Sequence, residues 1–229
     1  MDSARSWRRR RPAWIDVLGA LFLLFTAVRS GSVAAQPASD DKGDGFATVE
    51  SFLSQVHSLT AEFRQQFLDA DRIVIQTDTG TLAFERPNRF RWVSRKPAEL
   101  VVVADGKSIW TYDVELASVT VSPLDDLDAS SPALLLSGDR SVRDGFDVIG
   151  TSSADGLKWV ELAPKTTGGG FSSVRIGFAG NEPRRLELVD SLNEITKIEL
   201  EKIVLNPDIP KSDFEFKPPR GVEVTGSQG

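Results

Sequence analysis

Residues 81–93, TLAFERPNRFRWV, alternate in character on both sides of a turn signal. Leu82, Phe84, Arg86, Asn88, Phe90 and Trp92 take the even positions, and the odd ones are mainly polar or small. A period of two is the spacing of a strand with one buried face. With Pro87, Asn88 and Arg89 as a hairpin loop, Arg86 pairs with Phe90 and Phe84 with Trp92, so one face collects aromatic rings and a guanidinium. Burying that cation without partners is costly. Arg86 therefore either emerges at the hairpin rim or is hydrogen-bonded to carboxylates or backbone carbonyls.

The same period runs outward through most of the chain, with turn residues recurring at short intervals, the pattern of an antiparallel meander. Strands are expected over 61–69, 72–85, 89–95, 99–104, 108–113, 117–122, 146–150, 157–163, 172–179, 184–191 and 194–204. Asp105-Gly106 is the strongest hairpin signal, because Asx-Gly supplies the positive φ angles of a tight turn. It pairs Val103 with Ser108 and Val101 with Trp110, and sets Val101, Val103, Trp110 and Tyr112 on one face.

Two helical patterns interrupt the strands. Val49, Phe52, Leu53, Val56 and Leu59 recur at spacings of three and four, the apolar stripe of a helix that starts near Phe46. Ser131-Pro132-Ala133-Leu134-Leu135-Leu136-Ser137-Gly138 has a capping Ser, Pro at the first helical position and Gly past the end, and reads as a short helix, apolar nearly all round. It is either a core plug or a lid. So much apolar sheet face with so little helix to cover it fits a hydrophobic cavity or a packed sandwich, and periodicity does not separate them.

The N-terminus is a different object. Arg8 to Arg11 precede the apolar run Val17 to Val28, and Val33 and Ala35 supply small residues, so 1–35 reads as a secretory signal peptide cleaved after Ala35. Residues 36–45, QPASDDKGDG, read as a flexible tether, and 46–229 as a single domain. Cleavage removes six of the 27 basic and two of the 33 acidic side chains, leaving a net charge of −10. Such a domain repels phosphate backbones, which excludes nucleic acid as a partner, and the basic leader places it in the periplasm. With no Cys and one His, His57, thiol catalysis and Cys- or His-rich metal sites are excluded, and no cofactor is expected. His57 is read as a solvated surface residue. Asp125, Asp126 and Asp128 depart from calcium-loop spacing, and Gly168-Gly169-Gly170 lies between strand patterns rather than before a helix. No nucleophile-elbow pattern is present, so the chain is not expected to be an enzyme.

The pieces LTAEFRQQF, GTLAFERPNRFRW, LVVVADGKSIWTYD, SPALLL and DFEFKPPRGVEV, in this order, resemble the periplasmic outer-membrane lipoprotein carrier family (LolA). The resemblance implies a mainly β fold with an α lid: a curved antiparallel sheet forming an incomplete barrel, closed by the N-terminal helix and short helices, around an apolar cavity. It implies a periplasmic chaperone that binds the acyl chains of lipoproteins and shuttles them from the inner to the outer membrane. The partners implied are acylated lipoproteins, an inner-membrane ABC-type release complex and, where one exists, an outer-membrane receptor, with the carrier a monomer. Arg86 matches the arginine that holds the lid closed through lid-helix backbone, and Leu53, Phe90 and Leu136 match cavity positions. Face parity and helical spacing add Val49, Phe84, Trp92, Leu134 and Leu135. Arg89 and Arg91 depart from the family pattern and are expected to add positive charge near the mouth. The alternative reading keeps the fold and changes the cargo or role: a carrier of glycolipid or isoprenoid lipids, or an envelope sensor that binds lipoproteins.

Overall fold

Alternation with a period of two is realised in eleven consecutive strands that pair antiparallel throughout. The computed structural model describes residues 42–124, 137, 142–166 and 170–229. Helix α1 (Lys42–Gln55) leads into β1 (Ser58–Leu68), β2 (Val74–Glu85), β3 (Arg89–Lys96), β4 (Leu100–Asp105), β5 (Ser108–Asp113) and β6 (Ser118–Pro123). A one-turn helix α2 (Val142–Gly145) precedes β7 (Phe146–Ala154), β8 (Leu157–Pro164), β9 (Phe171–Ala179), β10 (Glu182–Asp190) and β11 (Ile195–Leu205). A 3-10 turn, Lys211–Phe214, and β12 (Glu223–Gly226) complete the chain. Each expected strand is present, with ends displaced by at most four residues. The strands form one sheet in the order β12-β6-β5-β4-β3-β2-β1-β11-β10-β9-β8-β7, an open, curved, incomplete barrel with β12 and β7 at its edges.

Both faces of the sheet are apolar over part of their extent. The inner face carries Leu59, Phe63, Leu82, Phe84, Phe90 and Trp92 and continues through β11 to β7. The outer face of β4 to β6 carries Val101, Val103, Trp110, Val119 and Val121, covered by Phe216 and Val222 of the C-terminal segment. That segment then adds β12 parallel to β6.

Two hairpin registers differ from expectation. In β2–β3, Phe84 pairs with Phe90 and Leu82 with Trp92, so the loop is Arg86-Pro87-Asn88 rather than 87–89. Asn88 takes the left-handed position, φ 65°, which Asn tolerates better than Arg. In β4–β5, Val103 pairs with Trp110 and Val101 with Tyr112, one step beyond the Asp105-Gly106 reading. The positive φ of 98° at Gly106 puts glycine first in the Gly106-Lys107 turn. Both shifts move the partner by two residues, so every side chain keeps its face.

Two helix boundaries also differ. Leu59 belongs to β1, because the chain leaves the helix after Gln55 and Val56, and α1 begins at Lys42, inside the stretch read as tether. Helix formation there is favoured by burial: Gly45 packs so closely on Val148 and Thr151 that a Cβ would lie 2.7 Å from a Val148 methyl. The short helix expected at 131–137 lies outside the described residues except for Ser137, as do Asp125, Asp126, Asp128, Gly168 and Gly169.

Asp105 ties the β4–β5 turn together. Its carboxylate accepts from the amides of Lys107 (2.9 Å) and Ser108 (2.8 Å) and from the indole N–H of Trp110 (3.0 Å). Burial pushes its pKa up, but these bonds and the Lys107 charge outweigh burial and hold it below the ordinary 3.8. A depressed folded-state pKa means stability present above the unfolded value and lost as pH falls through the folded one. Asp105→Ala should therefore cost about 1–3 kcal/mol in urea denaturation at pH 7, with the gap to wild type narrowing below about pH 4. A gap independent of pH would show that the ionised carboxylate does not hold the turn.

Candidate functional site

Helix α1 lies on the inner face of the sheet. Ion pairs join Asp44 to Lys158 and Glu50 to Arg143, and the Asn181 amide donates to Gln55. The Arg143 guanidinium lies 3.9 Å over the Phe46 ring. Val49 and Phe52 are both 1% exposed. Phe52 reaches furthest, with its centroid 6.4 Å from Phe84 on β2 in an edge arrangement and 5.6 Å from Phe178 on β9. One ring thus bridges strands far apart in the sheet order. Phe84 is fully buried.

The end of this helix lacks what it needs locally. The last four carbonyls of an α-helix have no intrahelical donors, and that end carries partial negative charge. The last turn of α1 contains no basic residue. The donors come from elsewhere in the fold: the Arg86 Nη1 donates to the Leu53 carbonyl at 3.3 Å, and the Asn206 Nδ2 donates to the Gln55 carbonyl at 2.9 Å. The Arg86 backbone N–H also donates to the His57 carbonyl at 2.8 Å, and the His57 amide donates to Asn206 Oδ1.

Arg86 combines these contacts with aromatic ones. Its guanidinium carbon lies 5.3 Å from the Phe52 centroid and 5.5 Å from that of Phe84, within cation–π range of both. Burial pushes its pKa down to about 10, so it remains a cation at neutral pH. Of the options left open by sequence, the backbone-carbonyl contact is present. The adjoining Asn88 amide donates to the Ser137 carbonyl at 2.7 Å, so the same turn holds a second segment.

Of the expected site residues, Val49, Phe84, Phe90 and Trp92 are buried on the inner face, Leu53 is half-buried on α1, and Arg86 stands at the rim beside the helix end. Leu134, Leu135 and Leu136 lie outside the described residues. Phe52, Phe63 and Phe178 were absent from that set. Phe63 stacks on Trp92 with centroids 3.7 Å apart and covers Gly80, where a Cβ would meet its ring at 2.7 Å. Strand alternation from Leu59 through Ala61 carries the signal for Phe63, and the helical stripe carries it for Phe52. Arg89 and Arg91 do not load the inner face with charge. Alternation from Phe90 turns them to the other face, where Arg89 pairs with Glu85 and Arg91 donates to the Asp213 carbonyl. Among the described residues no group of three or more His, Cys, Asp or Glu is placed to hold a metal ion.

The family model of the outer membrane lipoprotein carrier protein LolA matches residues 54–217. An outer-membrane lipoprotein carrier protein of Dechloromonas aromatica is 39% identical over 178 residues, 78% of this chain and 86% of its own length. One from Nitrosospira multiformis is 36% identical over 204 residues, 89% and 93% of the two chains. The crystal structure of an uncharacterized conserved protein from Thermus thermophilus superposes with a TM-score of 0.50 at 14% identity, covering 80% of this chain and 97% of that one, which bears on the fold alone.

If the guanidinium and the Phe52 ring interact as placed, Arg86→Leu and Phe52→Leu will not be additive. A double-mutant cycle in urea should return a coupling of about 1 kcal/mol. Amide exchange at the C-terminal turn of α1 should accelerate in Arg86→Leu more than exchange in β1. Additive energies together with unchanged α1 exchange would mean that Arg86 does not hold the helix.

Proposed function

The chain belongs to the outer-membrane lipoprotein carrier family, and from that premise we propose that it is a non-enzymatic periplasmic chaperone that binds the acyl chains of lipoproteins against its inner face and carries them towards the outer membrane. The observation that supports this reading most is the arrangement at α1: an apolar helix face laid on an apolar sheet face and fastened at its end by an arginine from a hairpin turn and by Asn206. In this reading residues 1–35 are removed on export and 46–229 act as one monomeric unit. Val49, Leu53, Phe84, Phe90 and Trp92, with Leu134, Leu135 and Leu136, line the acyl-chain site. An inner-membrane ABC-type complex supplies cargo, and an outer-membrane receptor takes it where one exists.

Magnitudes constrain how such a carrier works. A buried methylene contributes about 0.8 kcal/mol. Three chains of about sixteen carbons, fully buried, would approach ~40 kcal/mol gross, beyond the ~20 kcal/mol at which non-covalent affinities saturate. A carrier that tight would not unload. Acyl chains are therefore held loosely or in part exposed, and reclosing α1 over the empty face through Arg86 contributes to release.

Two measurements test this. Mass spectrometry of organic extracts from protein purified out of its own envelope should find acylated polypeptide; free glycolipid or isoprenoid alone would favour the alternative cargo. Arg86→Leu should accept cargo as wild type does but pass it to acceptor membranes at least tenfold more slowly, since about 1.4 kcal/mol of lost closing energy is a factor of ten. Normal transfer by the purified variant would remove Arg86 from the release step.

A further inference from the structure

The inner face changes character along β2. From the Arg86 turn downward its inward residues are Phe84, Leu82, Gly80, Asp78 and Gln76, apolar at one end and polar at the other. Gln65 on β1 pairs directly with Asp78, and Ser94 on β3 pairs with Gly80. None of the three is at the surface: Gln65 is 2% exposed, Ser94 4% and Asp78 7%. The Gln76 Nε2 donates to Asp78 Oδ1 at 2.8 Å.

Buried polar side chains are costly unless they are hydrogen-bonded, and an apolar trio would extend the neighbouring wall of Phe63, Leu82 and Trp92 without that cost. We propose that Gln65, Asp78 and Ser94 form a binding site for the uncharged ester or amide carbonyl at the head of a fatty acyl chain, whose hydrocarbon lies along Trp92, Phe63 and Leu82 towards Phe84. The inference rests on the acyl-chain reading given above and adds a polar contact to it.

The chemistry of the trio selects the head group. The Gln65 N–H and Ser94 O–H are donors without charge. Burial pushes the Asp78 pKa up, against the opposing pull of the Gln76 bond. Among the described residues Asp78 has the Gln76 amide as its side-chain partner and no ion pair. A carboxylate or phosphate head would find no counter-charge there and would meet Asp78 as a potential anion, whereas a carbonyl oxygen needs only donors. The span from Asp78 to Phe84 is six residues of strand, about 20 Å at 3.3 Å per residue, the scale of an extended long fatty chain.

The test uses the mature chain and competition against an environment-sensitive apolar dye. Methyl palmitate and heptadecane share a chain length and differ in the ester, and palmitate carries the same chain on a charged head. The ratio of methyl palmitate to heptadecane potency should be about five- to tenfold higher in wild type than in the double variant Gln65→Leu, Asp78→Leu. Asp78→Asn, which presents a donor, should retain most of the wild-type ratio, and Ser94→Ala should lower it in an otherwise undisturbed fold. An unchanged ratio in the double variant and Ser94→Ala would overturn the site. Palmitate outcompeting the ester would equally overturn it, by pointing to a charged head. Failure of all three ligands to displace the dye would overturn the acyl-chain reading itself, and the site with it.

Discussion

Strand β4 is apolar on both faces, with Val102 and Ala104 inward and Val101 and Val103 outward, and that constraint organises much of this molecule. A sheet apolar on one side needs one cover; here two are required, and the chain supplies them from its two ends. The C-terminal segment covers the outer face with Phe216, set 5.7 Å from Trp110 and 5.9 Å from Tyr112, and is fixed further by β12 on β6 and by the Arg91 bond to the Asp213 carbonyl. The N-terminal helix lies on the inner face. The two covers are fastened differently. The outer one joins the sheet through backbone hydrogen bonds, whereas the inner one is attached by side chains at its flanks and at its end.

That difference makes α1 the more readily detached of the two covers. Strand pairing is lost only by breaking a row of backbone bonds in concert, while a helix held by exposed ion pairs and by the side chains of Arg86, Asn206 and Asn181 separates at less cost. Asp44–Lys158 and Glu50–Arg143 are exposed and contribute little. The donors from Arg86 and Asn206 meet carbonyls that α1 has no means of satisfying itself.

The sheet was legible in the sequence because its period is two and its turns are rich in Gly, Asn and Asp. The two hairpin registers were not, since Asp105-Gly106 and Pro87-Asn88-Arg89 each admit neighbouring turns that differ only in which residue takes positive φ. Face assignment survived both errors because the partner moved by two residues each time. Strand β12 left no signal: Glu-Val-Thr-Gly is short and exposed throughout, and its pairing depends on where Phe214 and Phe216 carry the chain. Helix α1 shows the complementary limit. A spacing of three and four continued through Leu59 although the helix ends at Gln55, because the first inward residue of β1 happens to fall in phase with the stripe. The bridging role of Phe52 depends on the distance between β2 and β9, which no local pattern contains. Arg86 was conspicuous as a cation on an apolar face, and its partner, a helix-end carbonyl, is invisible to side-chain patterns.

The same contrast between directional and non-directional forces fixes what Arg86 can do in a carrier. Hydrophobic contact has no preferred partner, so Val49 and Phe52 gain nearly as much from an acyl chain as from Phe84 and Phe178. Exchanging sheet for lipid therefore leaves the apolar balance of α1 almost unchanged. The guanidinium is not exchangeable in that way, because hydrocarbon offers neither a carbonyl nor an aromatic face. In the proposed mechanism, the bonds that the end of α1 accepts from Arg86 and Asn206 are the ones whose energy would differ between an empty, closed carrier and a loaded one. Only such a difference in interaction energy can bias the equilibrium between those states.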